Sequence, residues 1–336
     1  MRAVESPEVI EAAAERACVD FGLADADIAL VSVSENLVFR VVGGPERQAY
    51  TLRLHRPGYH DAIEMTSERQ WLRALAAAGV RVPEPIDSSA GREFVVVPVA
   101  GEPEGRLATM SRWIPGRILA SLLERDADPT VVVGYWYQVG AAMAAIHAQS
   151  SGWVAPKGFS RKHLDCDGLL GDDPHWGRFW EFHDFTSGEQ RVLLDARAGI
   201  VGLLRAYGCH ERTYSLIHAD MTMRNVLVDD RGTVSVIDFD DAAHGWHQYD
   251  MAAALNSCSD PVVGEHEAAF VDGYRSVRTF TDDDLTLLPV FRLVRGMASL
   301  GWKGQRPEVE WPTGRLPALR RDVLGHAQAF LDGRRR

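Results

Sequence analysis

The residues best suited to chemistry lie in one segment of the chain, IHADMTMRNVLVDDRGTVSVIDFDD. Five of its side chains stand at the two ends of the segment and can take up a proton or bind a metal: His218, Asp220, Asn225, Asp238 and Asp240. Two apolar runs, 226–228 and 234–237, flank the turn residues DDRG, so the segment predicts a β-hairpin that brings these polar groups together at one end. A carboxylate that takes the proton of an acceptor, with an amide and a second carboxylate that hold magnesium, suits phosphoryl transfer.

The spacing of these residues is more specific than their types. The segment reads H-x-D-x-x-x-x-N, then an apolar strand, then D-F-D. A kinase catalytic loop and its metal-binding Asp follow one another in that order. Asp229 and Asp230, which lie between the two strands, are expected to serve only the turn. The pattern therefore favours a kinase-type active site.

With these residues the segment resembles the aminoglycoside phosphotransferase family, also called the phosphotransferase enzyme family, of kinase-like proteins. The resemblance implies ATP, with GTP as an alternative, and Mg²⁺ as cofactors. By position, Asp220 resembles the catalytic base and His218 the residue that braces the catalytic loop. Asn225 and Asp238 resemble the metal ligands, and Asp240 is expected to contact the metal or the substrate.

A second enzyme class fits part of the same segment. An apolar strand that ends in D-F-D also resembles the nucleophile strand of haloacid-dehalogenase-type phosphatases. That fold needs several βα units after the motif, whereas the remaining residues read mostly as helix, over 261–274, 282–300 and 316–331. The preceding H-x-D-x-x-x-x-N would also have no role, so the kinase interpretation is preferred.

The first third of the chain predicts a small antiparallel sheet preceded by a helix. The helix, over 6–22, is indicated by a Ser cap, an early Pro and a terminal Gly. Three strand-like runs follow it, at 28–33, 37–42 and 49–54. In the resembling family the turn between the first two strands covers the ATP phosphates, which implies phosphate contacts for Ser34 and Asn36. The turn contains no G-x-G-x-x-G.

The third strand carries a cation where a kinase has a Lys that reaches the nucleotide phosphates. Here that residue is Arg53, which keeps the positive charge but differs from Lys in reach and geometry. The helix predicted over 61–78 would supply the acid that pairs with it. Leu72 and Leu75 follow Glu68 at helical spacing, which places Glu68 at the edge of the face toward the sheet, and Glu64 lies one turn earlier on the same face. Glu68 is assigned this role because SERQWLRAL resembles the corresponding segment of the family. We expect Arg53 and Glu68 to belong to the nucleotide site.

The segment MSRWIPGR ends the last strand predicted in this part of the chain. In the family such a segment is the hinge whose backbone reads the adenine edge, which implies adenine contacts for Ser111 and Trp113. Pro and Gly within it are typical of a boundary. The resemblance therefore divides the chain into a nucleotide-binding N-lobe, 1–112, and a C-lobe, 113–336, that carries the catalytic loop, the metal and the acceptor site.

Two further segments of the C-lobe resemble the family. The long apolar helix predicted over 131–149 contains GAAMAAIH, and its His147 is interpreted as a satisfied helix-end histidine rather than a catalytic group. In the run GWHQYD, Asp250 resembles a structural residue that accepts hydrogen bonds from the catalytic-loop backbone. The Trp-rich stretch 151–180 resembles a family insertion that helps to form the acceptor pocket.

Composition argues against several other classes of protein. The net charge of −11 disfavours a nucleic acid or an anionic membrane as partner and weakly favours a cationic substrate. The four cysteines, Cys18, Cys166, Cys209 and Cys258, lie far apart without a C-x-x-C pair, so neither a zinc site nor a disulfide framework is predicted. The chain has no signal-peptide pattern and no window near the ~18 apolar residues of a membrane span. A cytoplasmic protein is expected.

Together these patterns predict an α/β (α+β) protein with the two-lobe fold of protein kinases. Its N-lobe would be a small antiparallel sheet with a helix, and its larger C-lobe would be mostly helical with a catalytic hairpin. The predicted function is transfer of the γ-phosphoryl group of ATP to a hydroxyl of an amino-alcohol, an amino acid or an aminoglycoside-like compound. Two alternatives stay open. SENLVFRV also resembles a Ser/Thr protein kinase of the bacterial stress-response type, and Arg53 in place of Lys is compatible with a catalytically silent nucleotide-binding module.

Overall fold

The computed structural model describes residues 7–33, 36–124, 128–256 and 263–334. The chain divides into two compact units. The first contains Met1–Gly116, Val154–Arg161 and Ser235–Ile237. The second contains Arg117–Trp153, Lys162–Val234 and Asp238–Arg336.

The first unit is built on one antiparallel sheet. Its elements are α1 (Pro7–Asp20), β1 (Asp27–Val33), β2 (Leu37–Gly43), β3 (Gln48–Leu54), α2 (Ala62–Ala77), β4 (Pro85–Ile86), β5 (Val95–Val99) and β6 (Glu102–Arg112). The strand order is β1-β2-β3-β6-β4, and β5 pairs with β6. Phe39 and Leu52 alternate with more exposed neighbours along β2 and β3, and they share one buried core with Ala14 and Ala17 of α1. The helix and strands predicted in this region are confirmed.

A buried arginine attaches helix α2 to the sheet. Asp61 caps the helix by accepting the backbone N–H of Glu64 at 2.8 Å. Within the helix, Arg69 donates to the carbonyl oxygens of Met110 (3.1 Å) and Ile86 (2.7 Å), which lie on two paired strands. Burial lowers the pKa of Arg69 to about 10, and the neighbouring Arg73 adds to this shift. Hydrogen bonds to two carbonyls offset part of the cost of burying this charge.

The second unit is mostly helical. Its elements in chain order are β7 (Arg117–Ile118), α3 (Leu119–Leu123), α4 (Pro129–Gly152), β8 (His163–Leu164), α5 (Cys166–Leu170), α6 (Ser187–Tyr207), β9 (Tyr214–Ile217), β10 (Val226–Val228), β12 (Ala243–Trp246), α7 (His247–Leu255), α8 (Glu265–Arg275), α9 (Asp282–Leu285), α10 (Leu288–Gln305) and α11 (Arg315–Arg334). Strand β11 (Val234–Val236) begins in this unit with Val234, whereas Ser235 and Val236 belong to the first unit. Short 3₁₀ helices cover Phe179–Glu181 and Met223–Asn225. The small sheets have the orders β11-β10-β7 and β8-β12-β9, so the predicted pairing of the strands at 226 and 234 is confirmed.

Helices α4 and α8 pack against each other through two glycines. A Cβ atom on Gly140 of α4 would lie 1.9 Å from the carbonyl oxygen of Phe270. Reciprocally, a Cβ on Gly273 of α8 would lie 1.9 Å from the carbonyl oxygen of Tyr137. The two backbones therefore approach more closely than any other residue type permits. This close crossing fixes the part of α4 that carries His147.

One predicted helix is wrong in its continuity. The pattern over 282–300 predicts a single helix, but the structure has α9, which ends at Leu285, and α10, which begins at Leu288. A capping box between Thr281 and Asp284 starts the first. Pro289 lies in the first turn of the second, where it lacks the N–H that a continuous helix needs. Among the described helices, none is long and apolar enough to cross a membrane.

Candidate active site

The candidate catalytic loop begins where strand β9 ends. β9 ends at Ile217 and pairs antiparallel with β12, which fixes the start of the loop. The side chain of His218 is fully buried, and its ring lies 4.5 Å from the ring of Phe239, measured between centroids. Its Nδ1 accepts the backbone N–H of Asp220 at 3.3 Å. His218 thus braces the backbone directly before the candidate base.

A buried carboxylate holds the same loop from the other side. Oδ2 of Asp250 accepts the backbone N–H of His218 at 3.0 Å, and Oδ1 accepts the N–H of Ala219 at 2.9 Å. Ala219 has a φ of 66°, a left-handed conformation that costs a residue with a Cβ about 1 kcal/mol or more. The two hydrogen bonds stabilise this turn, and the role predicted for Asp250 is confirmed.

Asp250 is itself held by a histidine of helix α4. Nε2–H of His147 donates to Oδ2 of Asp250 at 2.9 Å, and the hydroxyl of Tyr274 donates to Nδ1 at 2.8 Å. The ring of His147 also stacks on that of His247, with centroids 4.3 Å apart. Burial lowers the pKa of both histidines, so both are neutral at physiological pH. His147 is therefore a satisfied structural histidine, as predicted, and it supports the loop through Asp250.

The carboxylate of Asp220 is held by two donors. Arg295 of α10 donates to Oδ1, and the amide of Asn225 donates to Oδ2 at 3.1 Å. The same Arg295 donates to the carbonyl oxygen of Ala219 at 3.1 Å and lies 3.5 Å from the hydroxyl of Tyr249. The Asp220 side chain keeps 30% of its surface exposed. The carboxylate is therefore oriented by the protein while it stays open to a small molecule.

Charges around Asp220 shift its pKa in opposite directions. Burial raises this pKa above its usual value, and the nearby carboxylate of Asp238 raises it further, whereas Arg295 and His218 lower it. The raising effects prevail. Burial lowers the pKa of Arg295, but Tyr249 and Asp220 raise it above its ordinary value, so the guanidinium stays charged. The electrostatic effect of Asp238 also indicates that its carboxylate lies near that of Asp220.

The groups available for a metal are oxygens next to Asp220. Asn225 donates from Nδ2 to the main-chain oxygen of Asp220 (2.9 Å) as well as to its carboxylate, so Oδ1 faces away and accepts no hydrogen bond from any described residue. Asp238 follows β11 in a left-handed conformation, with a φ of 68°, and Asp240 is 7% exposed. In the described ranges no cluster of three or more His, Cys, Asp or Glu side chains is arranged for a metal. Carboxylate and amide oxygens suit Mg²⁺, which usually takes one or two protein carboxylates together with phosphates and water.

Two of the predicted nucleotide-site residues lie in the first unit on the sheet and on helix α2. Arg53 stands on β3 between Leu52 and Leu54, which are buried, so its side chain leaves the opposite face of the sheet. It pairs with Val38 on one side and Thr109 on the other. Glu68 is 6% exposed, so it is a buried acid rather than a surface one.

The predicted phosphate-covering turn is described only in part. Ser34 lies outside the described residues. Asn36 is buried, and its Oδ1 accepts the backbone N–H of Arg56 at 3.0 Å. This hydrogen bond connects Asn36, directly before β2, with Arg56, two residues after the end of β3. The amide oxygen of Asn36 therefore already has a structural partner.

The predicted hinge residues lie at the end of β6. Ser111 pairs with Thr51 on one side and with Pro85 on the other. The N–H of Arg112 donates to the carbonyl of Glu84 at 2.9 Å, and the N–H of Trp113 donates to the carbonyl of Ala49 at 3.1 Å. The guanidinium of Arg40 lies 5.5 Å from the Trp113 ring. Because both N–H groups are used within the unit, they are not free to donate to an adenine.

Sequence reasoning missed Arg295. The residue belongs to the run LVRGMASL, where buried Leu293, Val294 and Met297 surround it in the chain. The signal that could have identified it is a cation within such an apolar run, because burying an unpaired charge is costly and a buried Arg therefore needs a partner. Its partner, Asp220, lies 75 residues earlier in the sequence, so the pattern alone did not identify the pair.

Residues 27–284 match the phosphotransferase enzyme family. The chain belongs to this family. The phosphotransferase is 30% identical to the microcompartment-associated aminopropanol kinase, whose solved structure matches it with a TM-score of 0.76 over 94% of each chain. It is 25% identical to the homoserine kinase of Methylobacillus flagellatus over 282 residues, which cover 80% of this chain and 79% of that enzyme.

A third similar protein is the amicoumacin kinase hAmiN, solved in complex with AMP-PNP, Ca²⁺ and Ami. It is 19% identical and has a TM-score of 0.76, with 95% of this chain and 93% of that chain covered, which shows a common fold. The phosphotransferase thus has the kinase-like fold predicted, with an antiparallel N-lobe sheet and a helical C-lobe. As a member of this family it is a kinase with an alcohol group as acceptor, which confirms the predicted family and enzyme class.

Proposed function

We propose that the protein transfers the γ-phosphoryl group of ATP to a hydroxyl of a small molecule, with Asp220 as the base and Mg²⁺ on Asn225 and Asp238. The observation that carries this proposal is the arrangement around Asp220. Arg295 and Asn225 donate to different oxygens of its carboxylate, and Asp250 holds the loop before it. Enzymes of this family act on hydroxyl groups of small molecules, which supports the same class of reaction here.

Asp220 would orient the acceptor and take its proton. Each carboxylate oxygen can accept more than one hydrogen bond, so Oδ1 and Oδ2 keep capacity for an acceptor hydroxyl beside Arg295 and Asn225. The raised pKa brings the carboxylate closer to the pH at which it works, which makes it a better proton acceptor. Orientation by two fixed donors reduces the entropy lost when the acceptor is positioned.

The metal would be held by Oδ1 of Asn225 and by Asp238, with Asp240 as a further oxygen donor. When bound, ATP would supply the γ-phosphoryl group with ADP as the leaving group, and Mg²⁺ would neutralise charge on the phosphates, while Asp220 would take the proton of the acceptor hydroxyl. The Nδ2 hydrogen bonds of Asn225 fix the direction of its amide. This chain therefore presents one amide oxygen and one or two carboxylates to the cation.

The nucleotide would be bound by residues of the first unit. In this proposal Arg53 contacts the phosphates, Glu68 orients Arg53, Ser34 and Asn36 lie at the phosphate turn, and the segment with Ser111 and Trp113 lies at the adenine. The AMP-PNP in the amicoumacin kinase complex supports ATP as the nucleotide. Since the N–H groups of Arg112 and Trp113 already have partners, adenine recognition would use other backbone groups of this segment.

The first experiment measures nucleotide binding and turnover separately. MgATP should raise the melting temperature, because a ligand that binds only the folded state stabilises it, and chelation of the metal should remove most of the shift. Asp220→Asn should lower turnover by about 10² to 10⁴ and leave nucleotide affinity nearly unchanged. Asp238→Asn should instead weaken binding of the metal–nucleotide complex.

Asp230→Asn is the matched control, because Asp230 is an exposed turn residue of the same segment. It should leave both readouts unchanged. Near-normal turnover in both Asp220→Asn and Asp238→Asn would reject the assigned site. Nucleotide binding without turnover of any acceptor would support the silent module. Phosphorylation of casein, with every small acceptor inert, would support the protein-kinase alternative.

A further inference from the structure

One arginine contacts the candidate base and two more lie near it, in a protein that is strongly acidic overall. Arg295 contacts Asp220 directly. Arg224 lies in the 3₁₀ helix Met223–Asn225, next to the residue whose amide also contacts Asp220. The third, Arg315, is the first residue of α11. We call these three residues the arginine cluster.

An aromatic pair connects Arg315 to the helix that carries Arg295. Trp302 lies seven residues after Arg295 on α10, which places both on the same face of the helix. The Trp302 ring stacks on that of Trp311, with centroids 6.2 Å apart and an interplanar angle of 13°. The guanidinium of Arg315 lies 4.9 Å from the centroid of the Trp311 ring. Arg315 is thereby connected, through Trp311 and Trp302, to the face of α10 that also carries Arg295.

The charges of the arginine cluster act on one another. Burial lowers the pKa of Arg315, and Arg224 and then Arg295 lower it further, whereas Asp220 raises it. Arg315 therefore lies close enough to Arg224, Arg295 and Asp220 to interact with each of them electrostatically. Like charges at short range destabilise a folded protein, and a cation at the start of a helix also opposes the helix dipole.

The protein itself compensates only part of this positive charge. Across the described ranges Asp220 forms a salt bridge with Arg295, whereas neither Arg224 nor Arg315 forms one. Arg224 is exposed, and Arg315 keeps exposed surface although its surroundings bury it enough to lower its pKa, so both are open to a ligand. Arginine is suited to carboxylate and phosphate groups because its planar fork donates two parallel hydrogen bonds to them. A negatively charged group bound here would lie next to the carboxylate proposed to take the acceptor proton.

We propose that the arginine cluster binds an anionic oxygen group of the acceptor, and that the preferred acceptors are small hydroxy acids rather than purely cationic amino-alcohols. This inference rests on the proposed function, because it assigns the acceptor class of the same site. The acidic net charge of −11 favours a cationic acceptor, but beside the carboxylates of Asp220 and Asp238 the three arginines offer positive charge that a carboxylate of the acceptor could bind. Local charge governs recognition because screening limits interactions to about 10 Å at ordinary ionic strength.

Matched acceptor pairs that differ by one carboxylate test the inference. The pairs are L-serine with ethanolamine, L-homoserine with 3-aminopropan-1-ol, and L-threonine with 1-aminopropan-2-ol. ADP release should give a kcat/KM at least tenfold higher for the carboxylate member of at least one pair. The inference is overturned if the amino-alcohol is the better substrate in every pair or if no hydroxy acid is a substrate.

Variants of the cluster separate acceptor binding from nucleotide binding and from a structural role. Arg315→Gln and Arg224→Gln should each lower kcat/KM for the hydroxy acid about tenfold or more, while kcat/KM for its amino-alcohol partner and the Kd of MgADP stay unchanged. Arg321→Gln, an exposed arginine of the same helix as Arg315, is the control and should change none of these values. A weaker Kd for MgADP would assign the cluster to the nucleotide phosphates, and an equal loss for both acceptors would assign it a structural role. Either result overturns the inference.

Failure of this inference differs from failure of the proposed function. If amino-alcohols are phosphorylated and hydroxy acids are not, the proposed function stands and only the acceptor class is wrong. If MgATP neither shifts the melting temperature nor yields ADP with any acceptor, the proposed function fails first.

Discussion

Asp250 holds Ala219 in a left-handed backbone conformation, with Oδ1 accepting the N–H of Ala219 at 2.9 Å and the φ of Ala219 at 66°. Ala219 lies directly between His218 and Asp220, so this bond sets where the candidate base stands. The carbonyl of Ala219 is held as well, by Arg295. One strained residue thus has both of its backbone polar groups bound to buried or half-buried side chains.

Replacement of Asp250 should destabilise the protein. In Asp250→Asn one carboxylate oxygen becomes an amide NH₂ that faces other donors, so we expect a loss of about 2 to 3 kcal/mol in the free energy of unfolding at neutral pH. Chemical denaturation measures this loss. Asp272→Asn, at an exposed position of α8, is the control. The control should be as stable as the wild type. If Asp250→Asn were also as stable as the wild type, the role assigned to Asp250 would be contradicted.

The same residue makes stability depend on pH in a defined direction. Burial raises the pKa of Asp250, but His147 and the backbone N–H of His218 lower it, and the net shift is downward. A depressed pKa adds stability above the ordinary Asp range and loses it as the pH falls through the folded-state value. The stability difference between wild type and Asp250→Asn should therefore narrow in acid. Denaturation curves from neutral to acidic pH test this, and a difference that widens would contradict it.

Removal of Arg295 should change the pH dependence of turnover. Arg295 lowers the pKa of Asp220, so Arg295→Gln should raise that pKa. Asp220 must be deprotonated to take a proton, and the acidic limb of kcat/KM should therefore move to higher pH. Arg292→Gln, on the same helix but paired with Glu267, is the control and should leave the limb in place. If the acidic limb of kcat/KM stayed in place or moved to lower pH in Arg295→Gln, Asp220 would not be the base whose pKa Arg295 lowers.

The close crossing of α4 and α8 should not tolerate a methyl group. Gly140→Ala places a Cβ against the carbonyl of Phe270, and we expect destabilisation of about 1 to 3 kcal/mol by chemical denaturation. Gly134→Ala is the matched control on the same helix, because a Cβ there meets nothing within 4 Å. Replacing a helical Gly with Ala at an open position should stabilise by about 0.5 to 1 kcal/mol. Equal effects at the two positions would refute the packing argument.

The nucleotide role proposed for Arg53 can be tested by charge and by shape. Arg53→Ala should weaken MgATP binding by about tenfold or more, and Arg53→Lys should restore part of it, because Lys keeps the charge but not the planar fork. Arg16→Ala, at an exposed position of α1, is the control. Calorimetric titration gives the Kd values, and unchanged affinity in Arg53→Ala would remove Arg53 from the site.

By itself the sequence was enough to locate the candidate catalytic segment, because its signal is local. The residues from His218 to Asp240 lie within one loop and hairpin, and their spacing is set by a short stretch of backbone. The strands of the first unit were predicted for the same reason, since alternation of buried and exposed residues is read within seven positions. The break between α9 and α10 was missed because the apolar pattern outweighed the local effect of Pro289.

Only the tertiary structure decided which distant side chains meet at the loop. His147 reaches Asp250 over 103 residues, and Arg295 reaches Asp220 over 75. No local periodicity encodes such pairs, because they depend on how closely α4 packs on α8 and on which face α10 presents. The net charge of the chain likewise does not specify the charge at the candidate site. An electrostatic field at a site is governed by the few groups within about 10 Å, and folding alone selects those groups.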